Sequence, residues 1–275
     1  MAEVREINGE LDEGPVFWRT APPSEQAVTE TPALYLHGVP TNSDDWVPFL
    51  QRGGGLAPDL PGYGRTSKAG NLEYTIDGYV EFLDRFLDLV EVERVSLVLH
   101  DWGVVGLAWA QRNPERVERL VIINAVPFLP GYEWHRAARI WRRPWLGEIA
   151  MGSTTKWVLR RASRQANTTP GPLPDDWQHS VWDHFDQGTQ RAILRLYRSA
   201  PPEVLARAGE HLGELGMPAL VVWGDADPYI PPRFADGYAA VLGDAEVRHL
   251  PDAGHWPWLD RPDVVEQVVA FLGGG

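Results

Sequence analysis

The chain has 275 residues, enough for one large globular domain with an insertion, and it carries a formal net charge of -13 and no cysteine. Such acidity argues against a nucleic-acid partner, which needs clustered Lys and Arg, and the missing thiols exclude disulfides and thiolate zinc sites. Met1-Ala2-Glu3-Val4-Arg5-Glu6 lacks the apolar centre of a signal peptide, and no run of about 18 apolar residues exists to span a membrane. The expectation is a cytoplasmic protein that takes neither nucleic acid nor membrane as partner.

Ala33-Leu34-Tyr35-Leu36 is a short apolar run of the buried-strand type, followed by the turn His37-Gly38-Val39-Pro40-Thr41. Ser43-Asp44-Asp45-Trp46 reads as a helix start with Ser and Asp available as caps. Tyr79, Phe82, Leu83, Phe86 and Val90 recur at helical spacing and form one apolar face. Val95 to Leu99 is a strand that runs through His100 into Asp101, and Gly103 to Ala110 reads as the helix after it. Leu120 to Ile123, Ala219 to Trp223 and Glu246 to Leu250 are further strands, Val264 to Leu272 is a closing helix, and Gly273-Gly274-Gly275 reads as a frayed end. Strands alternating with helices predict an α/β fold, a mostly parallel sheet with helices on both faces.

The alternation stops between about Pro127 and Leu215. That stretch has no convincing strand, is rich in Trp and Arg, and carries Pro170-Gly171-Pro172-Leu173-Pro174 as an interior loop. It reads as a helical cap over the carboxyl edge of the sheet, where α/β proteins bind ligands. The domain reading is therefore a core in two parts, 1–127 and 215–275, with a cap at 128–214. The cap tryptophans at 134, 141, 145, 157, 177 and 182 are expected to form the cap's own core.

Asp101 carries the chemistry. A strand turning sharply into a helix lifts the turn residue above the sheet and aims backbone N–H groups at whatever binds there. An aspartate in that place is a carboxylate nucleophile, suited to an alkyl electrophile rather than an ester or amide. His255 in Ala253-Gly254-His255-Trp256-Pro257 follows the last strand, and Asp227 in Gly224-Asp225-Ala226-Asp227-Pro228 follows the one before it. In a parallel sheet these points share one edge with His37-Gly38-Val39-Pro40, and their chain order is nucleophile, acid, histidine.

With these motifs the chain resembles the haloalkane dehalogenase and epoxide hydrolase group of the α/β-hydrolase fold. The likeness runs almost the full length and is tightest over 33–124 and 219–260. It rests on His37-Gly38-x-Pro40-Thr41, on Leu99-His100-Asp101-Trp102-Gly103 and on Ala57-Pro58-Asp59-Leu60-Pro61-Gly62-Tyr63-Gly64-Arg65. The resemblance implies Asp101 as nucleophile, His255 as base and Asp227 as the acid that orients it, with the backbone N–H groups of Val39 and Trp102 as oxyanion hole. Asp225 is the rival acid. His100 and His37 are expected to be structural, and His135, His179, His184, His211 and His249 to be surface or packing residues. The two-step scheme, ester formation on Asp101 and then hydrolysis by water as co-substrate, requires neither metal nor organic cofactor.

The leaving group separates the two activities. A halide needs N–H donors in a dry pocket, and the resemblance gives Trp102 as one, with Trp141 favoured over Trp145 as the second from the cap. The position after His37-Gly38, where one dehalogenase subgroup has Asn, is Val39 here. An epoxide needs a proton donor for its alkoxide, and Tyr197 resembles a cap tyrosine of epoxide hydrolases; Tyr132 lies nearby in sequence. The reading favours a small apolar alkyl halide as substrate, with an epoxide as the alternative and a ligand-binding receptor on a hydrolase scaffold as a third class.

Overall fold

The computed structural model describes residues 1–23 and 31–274. Eight strands form one sheet: β1 (Arg5–Leu11), β2 (Gly14–Ala21), β3 (Ala33–Leu36), β4 (Gly55–Pro58), β5 (Val95–His100), β6 (Val117–Ile123), β7 (Ala219–Gly224) and β8 (Ala245–Leu250), in the spatial order β1-β2-β4-β3-β5-β6-β7-β8. β4, β3, β5, β6, β7 and β8 are mutually parallel, and the β1–β2 hairpin adds to β4 antiparallel. The hairpin and β4 have no counterpart in the sequence reading. β1 is largely exposed, so it lacks the apolar run that marks a core strand, and β4 is four residues bounded by Gly and Pro.

The helices are α1 (Val47–Gly53), α2 (Ile76–Leu89), α3 (Val105–Arg112), then α4 (Arg136–Trp141), α5 (Leu146–Gly152), α6 (Lys156–Ser163), α7 (Asp175–Asp183), α8 (Gln187–Ser199) and α9 (Pro202–Ala208), and finally α10 (Arg233–Leu242), α11 (Pro257–Asp260) and α12 (Asp263–Leu272). Period-two alternation along the strands feeds two cores. Leu97, Leu99 and Leu120 join Phe82, Leu107 and Tyr238 of α2, α3 and α10 on one face. Val98, Val121 and Leu220 join Phe49, Val264 and Val268 of α1 and α12 on the other. Burial on both faces explains why these strands read as continuous apolar runs.

Local chemistry sets the helix starts. The Thr75 hydroxyl accepts the Gly78 N–H at 3.1 Å and caps α2. At Ser43–Trp46 the turn is 3₁₀ and its cap is Asn42, whose side chain accepts from the Asp44 N–H, so neither Ser43 nor an Asp caps it. The helix expected from Gly103 opens as a 3₁₀ turn over Asp101–Val104 and becomes α-helical at Val105. Gly273 caps α12, and Gly275 lies outside the described residues.

Between β6 and β7 the chain runs through α4 to α9, with no strand among the described residues. Trp134 is buried there, but Trp145 is 82% and Trp157 68% exposed, which corrects the expectation that all the tryptophans of this stretch pack inward. Trp145 precedes α5 at its N-terminus, outside the helix, with a positive φ of 68°. No helix among the described residues is long and apolar enough to cross a membrane.

Because β3 is flanked by β4 on one side and β5 on the other, the strand order reverses between β3 and β5. That reversal opens a crevice at the carboxyl ends of the strands. The turns after β3, β5, β6, β7 and β8 all meet on this edge.

Candidate active site

Asp101 sits at the reversal with a left-handed backbone, φ 49°, a conformation that costs a non-glycine residue roughly 1 kcal/mol or more. Two glycines permit the close approach. A Cβ on Gly38 would stand 2.4 Å from the Asp101 Cβ, and one on Gly103 would stand 2.0 Å from the Leu36 carbonyl oxygen. The buried carboxylate then has two different oxygens. Oδ1 accepts the Val39 N–H at 2.8 Å, and the backbone N–H of Trp102 also favours the ionised form. Oδ2 lies 3.6 Å from Nε2 of His255.

His255 is buried, and its Nδ1 is 2.7 Å from Oδ2 of Asp227. A carboxylate at Nδ1 holds the proton there and leaves the Nε2 lone pair facing Asp101. Asp227 is fixed in turn: Oδ1 accepts the backbone N–H groups of Tyr229 at 2.7 Å and Ile230 at 3.1 Å, and Oδ2 accepts from the Asn124 amide at 2.8 Å. Asn124, also left-handed, exchanges two hydrogen bonds with the Gly224 backbone. Asp225 points elsewhere, onto His249 at 2.7 Å, so of the two candidate acids Asp227 is the one that reaches His255.

Burial raises the pKa of Asp101, opposed by the charge of His255 and the two N–H groups. For His255 burial acts downward, but the carboxylates of Asp227, Asp101 and Asp45 outweigh it and hold the imidazole above its ordinary value. Asp45 is itself buried and pushed up to about 7 by burial, with the Trp256 indole N–H 3.3 Å from its Oδ2. His100 and His37 brace the backbone. His100 Nε2 is 2.8 Å from the His255 carbonyl oxygen, and burial drives its pKa well down. His37 Nε2 accepts the Leu60 N–H at 2.9 Å, while Nδ1 lies 2.8 Å from the Gly38 carbonyl oxygen.

A cavity of about 380 Å³ opens above Asp101 and His255, walled by residues of the β6–β7 segment, among them Trp134, His135, Trp141 and Tyr197. Trp102 is not itself in the cavity wall; it lies buried behind two wall residues, stacked on Trp134 and edge-on to Tyr197 at 5.3 Å between ring centroids. Its indole N–H lies within reach of the Tyr197 phenol and acts to lower that group's pKa against burial. Trp141 meets Tyr197 edge-on at 5.1 Å. The exposed Trp145 is not in the cavity wall, so of the two cap candidates for second donor only Trp141 is placed there.

Two wall residues escaped the sequence reading as cavity residues, His135 and Tyr229, and Tyr132, weighed there beside Tyr197, joins them. His135, expected at the surface or in packing, lines the cavity, and burial followed by the charge of His255 pushes it down to about 4. The Tyr132 hydroxyl is buried without a partner, and burial with the charges of Asp101 and Asp227 raises its pKa. Tyr229 packs edge-on to His255 at 5.0 Å and is pushed up to about 12 by burial and the same two carboxylates. Tyr197 lies well above the usual phenol range through burial and the charge of Asp101. Asn124 was also missed, although an Asn directly after an apolar strand is a visible mark of a left-handed turn.

One contact ties the wall to His255. The His255 backbone N–H donates to the Ala166 carbonyl, in the loop between α6 and α7, at 2.7 Å. Gly254 allows it, since a Cβ there would stand 2.3 Å from that oxygen.

A family profile described as alpha/beta hydrolase fold matches residues 31–262. The chain is similar to haloalkane dehalogenase 1 of Mycobacterium tuberculosis, 31% identical with 82% of this chain and 75% of that protein covered. It is also similar to epoxide hydrolase 2 of Caenorhabditis elegans, 28% identical over 84% of this chain and 70% of the relative. Among solved structures it shares its fold with a haloalkane dehalogenase from Bradyrhizobium elkani, at TM-score 0.83, 23% identity and coverage of 99% and 98% of the two chains. The chain belongs to the α/β-hydrolase family, in its haloalkane dehalogenase and epoxide hydrolase group.

Proposed function

We propose that the protein hydrolyses carbon–halogen bonds through a covalent ester on Asp101, with residues 128–214 acting as the cap that closes the site. The observation that carries this reading is a divided carboxylate, Oδ1 on the Val39 N–H and Oδ2 before the His255 imidazole, opening on an apolar aromatic cavity with the indole of the next residue, Trp102, buried. Oδ2 attacks an sp³ carbon opposite its halogen, and the halide leaves with the bonding electrons toward the N–H of Trp102, with Trp141 as second donor. His255, oriented by Asp227, takes a proton from water, and the hydroxide adds to Cγ of Asp101. The charge that develops on Oδ1 meets the N–H groups of Val39 and Trp102. Collapse expels the alkoxide, which takes the proton from His255. The balance is alkyl halide plus water giving alcohol, halide and a proton. The apolar aromatic wall suits a small neutral substrate.

A specific observation favours epoxide opening as the second reading: the unpaired Tyr132 hydroxyl, with Tyr197 close enough to feel the Asp101 charge. There the same attack opens the ring, a phenol protonates the alkoxide, and hydrolysis gives a vicinal diol. The test is a panel of haloalkanes and epoxides, with halide followed by ion chromatography and diol by mass spectrometry. Halide release is expected, falling about tenfold or more in Trp102→Phe. Diol without halide, abolished in Tyr197→Phe, would overturn the first reading in favour of the second. Neither product, with tight retention of a small ligand, would overturn both.

A further inference from the structure

The outer face of α4 to α6 has a composition unlike the rest of the chain. Residues 134–165 hold eight Lys and Arg against the single carboxylate of Glu148, in a protein whose net charge is -13. Glu148 is already taken by Arg198 at 2.7 Å. Arg136, Arg139, Arg143, Lys156, Arg161 and Arg164 are exposed and form an ion pair with none of the described residues. Large apolar side chains stand among them in water: Trp145 at 82%, Ile149 at 67%, Trp157 at 68% and Leu146 at 48% exposure. Trp145 stands just ahead of α5, next to the exposed Leu146 and Ile149, and Trp157 and Arg161 are four residues apart, the spacing that puts them on one side of α6. The opposite sides of the same two helices, through Ala150, Met151, Leu159 and Ala162, line the cavity. The helices that wall the cavity therefore present tryptophan and arginine outward.

We propose that this face docks on an anionic lipid surface. Aromatic and aliphatic groups interleaved with unpaired cations are what an interfacial helix offers to lipid headgroups. A second copy of the chain is a poor occupant, because a two-fold interface would set this cationic patch against itself. The sequence expectation of no membrane partner came from the lack of a spanning run, which bears on insertion and not on adsorption. The inference concerns the outer surface alone and stands whether or not the chemistry on Asp101 is as proposed. Docking would bring the cavity wall up to a phase in which apolar molecules concentrate.

The test is flotation of the full chain with vesicles of phosphatidylcholine alone and of phosphatidylcholine mixed with phosphatidylglycerol. Binding is expected only to the mixed vesicles, weakening as salt rises. Charge reversal in R139E/R143E/R161E is expected to weaken it about tenfold or more, with an unchanged thermal midpoint. In a milder variant, W145F/W157F, binding should persist while quenching of tryptophan emission by brominated lipid drops. No binding to anionic vesicles, or binding indifferent to the charge reversal, would overturn the proposal. So would unchanged quenching in W145F/W157F. A concentration-dependent dimer without vesicle binding, dissolved by W145S/W157S, would assign the face to a second copy and overturn it as well.

Discussion

The two oxygens of Asp101 have different neighbours, an amide N–H for Oδ1 and an imidazole for Oδ2, and the proposed chemistry uses both. Attack employs the oxygen beside the imidazole; hydrolysis loads charge on the one already cradled. His255 serves only the second step, so its removal should stop the reaction halfway. His255→Ala, exposed to a confirmed substrate, is expected to gain the mass of the alkyl group on Asp101, seen by intact-protein and peptide mass spectrometry. An unmodified mass would contradict the two-step scheme. The imidazole must be neutral to accept a proton, and its pKa is held above the ordinary value, so the base is lost as pH falls through that raised pKa.

At the scale of elements, the junction of β5 with α3 depends on how closely backbones meet. A Cβ on Gly103 would face the Leu36 carbonyl oxygen at 2.0 Å and its carbon at 2.6 Å, which only a shift of β3 can relieve. A Cβ on Gly106 would meet the ends of the Leu99 and Leu36 side chains at 2.6 and 2.9 Å, which can rotate. Gly103→Ala is therefore expected to destabilise by roughly 1–3 kcal/mol and Gly106→Ala by clearly less, measured by urea unfolding. Equal losses would refute the close-approach account. These elements were legible because strands buried on both faces write continuous apolar runs, and the turns after them hold Asp101, Asp227 and His255 at fixed sheet positions. β1 was not legible, since an exposed edge strand such as Arg5–Leu11 has no such run. The cavity wall was legible only in part, in Trp141 and Tyr197. Tyr132 and His135, ahead of α4, and Tyr229, after β7, share that wall only in the folded chain, which periodicity does not encode. Trp145 and Trp157 misled for the converse reason, because aromatic side chains are inward by tendency and outward here.

Across the whole molecule, Asp44 joins three separate parts. Its Oδ1 takes Arg19 of β2 at 2.6 Å and Arg65 at 3.2 Å, and its Oδ2 takes the hydroxyl of Ser180 in α7 at 2.5 Å. Burial acts to raise its pKa, but Ser180, Arg65 and Arg19 prevail and hold it below the usual carboxylate value. A carboxylate lowered on folding stabilises above its unfolded pKa of about 4, and that stabilisation is lost as pH falls through the lowered folded value. Asp44→Ala is expected to cost roughly 1–3 kcal/mol at pH 7, with the gap to the parent chain closing below about pH 4. A pH-independent gap in thermal or urea melts would show that packing, not charge, is what Asp44 supplies.

The hydrogen bond from the His255 backbone to Ala166 makes the loop between α6 and α7 part of the histidine's seating. In the proposed scheme a displacement of that loop would cost the base its seat, because the peptide that carries His255 would lose the acceptor of its N–H.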